Sequence, residues 1–217
     1  MKTFNFLAFL MLCICCVLPI KAQYSVKDAF AAIDFISLPH TAAKGNVYPQ
    51  WVGIDNPSNL MDDKMYNDFQ CTDYFSSTTD PDLSPALYAK FQVPGTSWTL
   101  GAVAFGGAID NQTVNLIVVD SNGNIKSSLV VEVKWGWIPA RQFKITQDGK
   151  IIVTKLVPTA SQSIRFDKFS QMTAYRLDEV YRIDTSGRFV KESEKRFNTK
   201  TYTKAQLDSG EYNIWDL

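Results

Sequence analysis

Asp148 in ITQDGKIIVTK (145–155) and Asp184 in IDTSGRFVKES (183–193) each lie beside a glycine, a setting in which a loop presents a carboxylate. Paired general acid and base chemistry needs two carboxyl groups several Å apart, in environments that separate their pKa values. Nothing in the sequence brings these two together. An Asp in such a turn ordinarily accepts hydrogen bonds from its own backbone, so both are expected to be turn formers and no catalytic residue is nominated. His40, the one histidine, would have to serve any Ser-His-Asp or zinc mechanism. No G-x-S-x-G elbow accompanies it, and one His with one Cys is a poor zinc set. The stretch 62–82 carries Asp62, Asp63, Asp68, Asp73, Asp80 and Asp82, which are calcium-type ligands. Their spacing departs from the D-x-D-x-D-G pattern of an EF-hand, and solvated loop acids are the expectation. No metal and no cofactor are expected.

The aromatic side chains are more suggestive. In VKWGWIP (133–139) an extended strand would project Trp135 and Trp137 from one face, with Gly136 leaving the other face bare. Two indoles side by side form a stacking platform for sugar rings or a protein-binding patch, and the same pair serves equally as core under a sheet. Trp135 and Trp137 are therefore the candidate ligand-binding residues. The N-x-T sequon at Asn111 matters only in a eukaryotic secretory route.

The elements that would position these residues are strands. In SVKDAFAAIDFISLP (25–39), Val26, Ala29, Phe30, Ile33 and Ile36 have the spacing of one helical face, Ser25 and Asp28 that of a capping box, and Pro39 closes the run. From His40 to about Pro85 the periodicity breaks up, leaving room for a short helix begun by Ser58 or Asn59. After Leu87 the segments become short, β-branched and aromatic, separated by glycine turns.

Three hairpins are predicted. A two-residue loop at Asn122 and Gly123 sets Leu116 opposite Leu129 and Val114 opposite Val131. A three-residue loop at 147–149 sets Ile145 opposite Ile151 and Phe143 opposite Val153, with Gly149 in a left-handed position. The same rule sets Ile183 opposite Phe189 and Asp184 opposite Arg188. At the C-terminus Thr203 and Gln206 form a capping box, Gly210 stops a short helix, and Tyr212, Ile214 and Trp215 pack back on the sheet. The fold expected is mainly β, an antiparallel sheet or sandwich of successive hairpins with a short N-terminal helix.

The ends and totals bound where the chain works. Residues 1–22, MKTFNFLAFLMLCICCVLPIKA, read as a cleaved secretory leader: a basic start, an apolar run from Phe4 to Ile20, and Ala22 before the cut. Lipidation at Cys13, Cys15 or Cys16 is the alternative, but Leu12 stands before Cys13 where a small residue belongs. Removal of the leader leaves Cys71 alone, so no internal disulfide forms, and a single β-rich domain over 23–217, with a subdivision near 85–90, is long enough to need none. Without Lys2 and Lys21 there are 20 basic side chains against 22 acidic, and no basic stripe; a nucleic-acid partner is not expected.

The succession LIVVDSNGNIKSSL, FKITQDGKIIV and YRIDTSGRFV resembles the C-terminal halves of uncharacterised exported proteins of Gram-negative bacteria, in which strand pairs joined by D-x-x-G-x turns follow one another. It covers about residues 114–190 and implies export and a run of hairpins, with no activity or ligand attached. NPSNLMDDKMYNDF and the strands after it are similar to galactose-binding-like jelly rolls of the discoidin type; Phe69 or Tyr66 stands where that group has a tryptophan, so no ligand site is carried over. The function expected is that of a secreted, periplasmic or cell-surface protein of binding or structural type, with a protein or glycan of the envelope as partner and no transmembrane helix once the leader is gone. A glycan-binding module built on Trp135 and Trp137 is the first alternative. A carboxylate-based glycan hydrolase is the second.

Overall fold

The computed structural model describes residues 26–42, 86–105, 113–135, 138–159, 170–208 and 212–217. The leader, Ser25, the segment holding Cys71 and the acidic stretch, the room for a short helix from Ser58 or Asn59, Asn111 and Gly210 lie outside the described residues. Among the described residues, helix α1 (Val26–Ala31) is followed by nine strands: β1 (His40–Thr41), β2 (Ala86–Gln92), β3 (Thr99–Phe105), β4 (Thr113–Val119), β5 (Ile125–Trp135), β6 (Ile138–Ile145), β7 (Ile151–Pro158), β8 (Gln171–Ile183) and β9 (Phe189–Thr203). A short helix α2 (Lys204–Asp208) and a 3-10 turn at Ile214–Asp216 end the chain. The protein is mainly β: strands β2 to β9 follow one another around one antiparallel sheet, and β1 adds to β6.

Three glycine turns set the registers. Ile145 faces Ile151, Phe143 faces Val153, and Ile183 faces Phe189, as the three-residue loops predict. The first hairpin has the same loop, not the two-residue one expected. The amide of Asp120 donates to the carbonyl of Asn124 at 3.0 Å, as those of Thr146 and Asp184 do to Lys150 and Arg188 at 2.9 Å. Gly123, Gly149 and Gly187 take φ of 88°, 80° and 80°, a region that side chains disfavour. Leu116 still meets Leu129, because a bulge between Val118 and Val119 takes up the residue that the longer loop removes. A second bulge sets Val114 opposite Glu132 in place of Val131.

The sheet curls so that its two halves share a core. Phe91, Leu100, Leu116 and Val131 of β2–β5 form one buried cluster with Phe143, Ile145, Ile151 and Val153 of β6 and β7, and Tyr181, Ile183 and Phe189 pack against it. The turns confirm the approach. The Ser127 hydroxyl donates to the Gly187 carbonyl at 2.6 Å, and a Cβ on Gly149 would lie 2.7 Å from Pro94 Cδ. Strand β5 pairs with β6 only from Val133 to Trp135. The edge of β6 beyond Arg141 takes β1 instead, with His40 opposite Ile145 and the Ala42 amide donating to the Phe143 carbonyl at 3.1 Å.

The outer face of the first half is covered by α1, whose Ala29 meets Leu87, Val103, Ile117 and Val119 together with Ile33. Phe30 sits over Gly101, where a Cβ would come within 2.3 Å of its ring. The helix stops at Ala31, well before Pro39, and Ile36 is 39% exposed rather than on the buried face. Its amide donates to the Lys90 carbonyl at 2.9 Å, so this segment gains a sheet-edge bond that a longer helix would forgo. On the second half, Leu207 and Ile214 cover Ile138, Leu156, Met172 and Ala174. The capping box forms as read: the Thr203 amide donates to Gln206 Oε1 at 2.8 Å, and the Gln206 amide to Thr203 Oγ1 at 3.2 Å. Among the described residues no helix is long and apolar enough to cross a membrane.

Candidate functional site

The turn aspartates are occupied by their own turns. Asp184 Oδ1 accepts the amides of Ser186 at 2.8 Å and Arg188 at 2.9 Å, and the Ser186 hydroxyl at 2.7 Å. Asp120, which the sequence reading passed over, does the same with the amides of Asn122 and Asn124, and pairs with Lys126 at 3.0 Å. In the middle turn the roles shift by two residues. Thr146 takes the position of the aspartate, accepting the Lys150 amide at 3.0 Å and donating to Asp148 Oδ1 at 2.5 Å. These bonds hold all three carboxyl groups below the ordinary value: for Asp120 chiefly the Asn124 side chain, for Asp148 the Thr146 hydroxyl, for Asp184 the Arg188 amide.

His40 is half-buried against the shared core. Its ring lies tilted against Phe91 of β2 at 4.9 Å and Phe143 of β6 at 5.6 Å between centroids, and burial lowers its pKa. Between its folded pKa and 6.5, the unfolded chain holds a proton that the folded chain does not, so the contribution of His40 to stability falls as pH drops through that window and changes no further below it. Because there is one histidine, its imidazole resonances titrate without overlap. We expect a midpoint below 6.5, and a loss of stability as pH falls from 6.5 through that midpoint that His40→Phe removes. A midpoint at or above 6.5 contradicts this.

Of the candidate pair, Trp135 is the last residue of β5, and Trp137 lies outside the described residues. Strand β5 ends at Trp135, β6 begins at Ile138, and those two residues face each other in the register. Both side chains lie outside the described residues.

The polar centre that the sequence reading missed is on the inner face of β6–β9. Glu179 is 6% exposed. Its carboxylate bonds the Lys155 ammonium and accepts the Tyr181 hydroxyl at 2.8 Å, with Lys191 at 3.6 Å. Lys191 in turn pairs with Glu194 at 2.7 Å. Arg141 stands directly opposite Lys155 and donates to the Val130 carbonyl at 2.9 Å. Burial opposes ionisation of Glu179, but the bonds from Lys155 and Tyr181 outweigh it and hold its pKa below the ordinary value. Lys155 is lowered by burial, with Arg141 and Lys191 adding repulsion. Tyr181 is raised by burial and by Glu179. A signal was present, since continuing the Phe143–Val153 register by two residues sets Arg141 against Lys155.

A second buried acid, Glu132, is 1% exposed on β5, and burial followed by its charge pushes the Tyr88 hydroxyl well above its usual range. Among the described residues no three His, Cys, Asp or Glu side chains converge to hold a metal ion. No family model, no curated protein and no solved structure matches the chain.

Proposed function

We propose that the chain is an exported protein of the cell envelope or cell surface that works by binding or as a structural component, and not by catalysis. Export is supported by the leader-like residues 1–22 and by the resemblance of 114–190 to exported Gram-negative proteins. The observation that carries the non-catalytic part is the direction of the carboxyl groups. Asp120, Asp148, Asp184 and Glu179 are all held below the ordinary carboxylate value. Glycan hydrolysis needs one acid held above it, to protonate the leaving oxygen. The hydrolase alternative rests on Glu132, a carboxyl group 1% exposed on β5.

The test begins with the full chain expressed in a Gram-negative host. Intact mass and fractionation are expected to place it outside the cytoplasm without residues 1–22. Incubated with isolated envelope, it is expected to be retained and to release no sugar. A full-length cytoplasmic product overturns export. Reducing ends released by the protein but not by Glu132→Gln overturn the binding reading in favour of the hydrolase, and retention lost in Trp135→Ala or Trp137→Ala moves it to the glycan platform.

A further inference from the structure

Between α1 and the turn that joins β4 to β5 lies a cavity of about 200 Å³, walled by Phe30, Phe35 and Val119 and rimmed by Lys27, Thr99 and Ser121. Among the described residues Phe35, 52% exposed, is one of two large apolar side chains left so open to water. The ring is nonetheless fixed. The Lys90 ammonium donates to the Phe30 carbonyl at 2.6 Å and lies 4.5 Å from the centroid of Phe35, while the next residue, Ile36, is tied to β2 through its amide. A ring braced on one side and exposed on the other is a stacking surface. Charge is unbalanced around it. Asp120, the carboxylate on the wall, accepts the amides of Asn122 and Asn124 and is matched by Lys126 at 3.0 Å. Lys27 has no acidic partner among the described residues. Its stem is seated on the turn, where a Cβ on Gly123 would lie 2.9 Å from Lys27 Cβ, so its charge is kept at the rim.

We infer that this cavity is a binding site for one acidic sugar ring, a hexuronate, with its carboxylate on Lys27, its C–H face on Phe35 and its hydroxyl edge toward Thr99 and Ser121. The inference rests on the binding reading above and gives it a ligand class. A neutral sugar would cover Phe35 but leave the Lys27 ammonium without a counter-charge. Phosphate would meet the charge, yet its other oxygens would lose water against Phe30, Phe35 and Val119 with nothing to replace it. A plain hydrocarbon acid would satisfy Lys27 and the phenylalanines, and would shut water from the Thr99 and Ser121 hydroxyls, which have no protein partner among the described residues. A uronate meets all three demands. Size sets the number of rings: the volume is roughly seven times the 30 Å³ share of a water molecule, and under the roughly 300 Å³ of a site for larger ligands. Lys90 contributes by holding Phe35 in place, so the ring loses little freedom when a sugar stacks on it.

Backbone amide spectra of the exported protein, titrated with galacturonate, glucuronate, galactose and cyclohexanecarboxylate, test this. At least one uronate is expected to shift the amides of Lys27, Phe35 and Ser121 saturably, about tenfold or more tighter than galactose, which has the ring without the charge, and than cyclohexanecarboxylate, which has ring and charge without hydroxyls. Lys27→Met is expected to weaken the uronate by about tenfold, the scale of a lost charge-assisted bond, and to leave galactose unchanged, with Lys27→Arg restoring most of the loss. Phe35→Ala is expected to weaken both sugars. Both side chains are exposed, so the variants should fold, and spectral dispersion shows that they do. Equal affinity for uronate and galactose, equal affinity for uronate and the cyclohexane acid, uronate binding untouched by Lys27→Met and Phe35→Ala, or no saturable shift with either uronate overturns the inference. Failure here is distinct from failure of the binding reading, which falls only if isolated envelope does not retain the protein.

Discussion

Truncation of Phe143 to alanine is expected to lower the unfolding free energy by about 3–5 kcal/mol, a large part of the 5–15 kcal/mol that holds a domain of this kind together. The ring is fully buried, belongs to β6 in the second half of the sheet, and shares one cluster with Phe91, Leu100 and Leu116 of the first half. It also flanks His40, whose strand fills the edge that β5 leaves. Removing it therefore empties the seam between the halves, where neither can close in without shifting a whole strand. Phe30 supplies the contrast. It packs against the satellite cluster under α1 and is only partly buried, so Phe30→Ala is expected to cost less, about 1–2 kcal/mol. Urea unfolding of the two variants checks the order. A Phe143→Ala cost near 1 kcal/mol, or equal costs for both, contradicts a single core shared by both halves.

How far the sequence reaches can be judged on that seam. The pairing of Phe143 with Val153 follows from Gly149 and the wish of apolar residues to share a face, both local matters, and it is found. The pairing of Leu116 with Leu129 is found too, although through a loop of different length, because the hydrophobic pattern fixes which residues meet while a bulge absorbs the difference. Val114 shows the limit: the second bulge that sets it against Glu132 has no marker in VVEV. Where α1 ends was hidden as well, since Ile36 continues the helical spacing and only the presence of the β2 edge gives its amide a better partner. The joining of β1 to β6 and the curl that brings Gly187 to Ser127 depend on contacts some 60 to 105 residues apart, which periodicity does not encode. The polar centre went unseen for the same reason. Glu179 acquires its meaning only when Lys155 and Lys191, on the strands either side, turn toward it.

That centre carries the other large effect. Lys155→Met strands a carboxylate that is 6% exposed with the Tyr181 hydroxyl and the more distant Lys191, and is expected to cost about 2–4 kcal/mol. Glu179→Gln leaves Arg141, Lys155 and Lys191 without the acid that stands between them and is expected to cost a similar amount. Replacing both partners, Lys155→Met with Glu179→Leu, takes away the demand along with the supply. The double variant should stand closer to wild type than either single one, with a coupling energy of about 1–3 kcal/mol between the sites. The pH dependence separates this from mere loss of packing. Glu179 is held below its unfolded value of 4.5, so its contribution is fully present above that value and is lost as pH falls through the lower, folded one. Glu179→Gln must lose this acid-sensitive part of the stability curve while keeping the earlier decline that belongs to His40, because one proton goes to a carboxylate on β8 and the other to an imidazole on β1. Additive single variants, or an acid limb unchanged in Glu179→Gln, mean that the four side chains share a face without sharing an energy. The register of β6 against β7 would then account for their neighbourhood by itself.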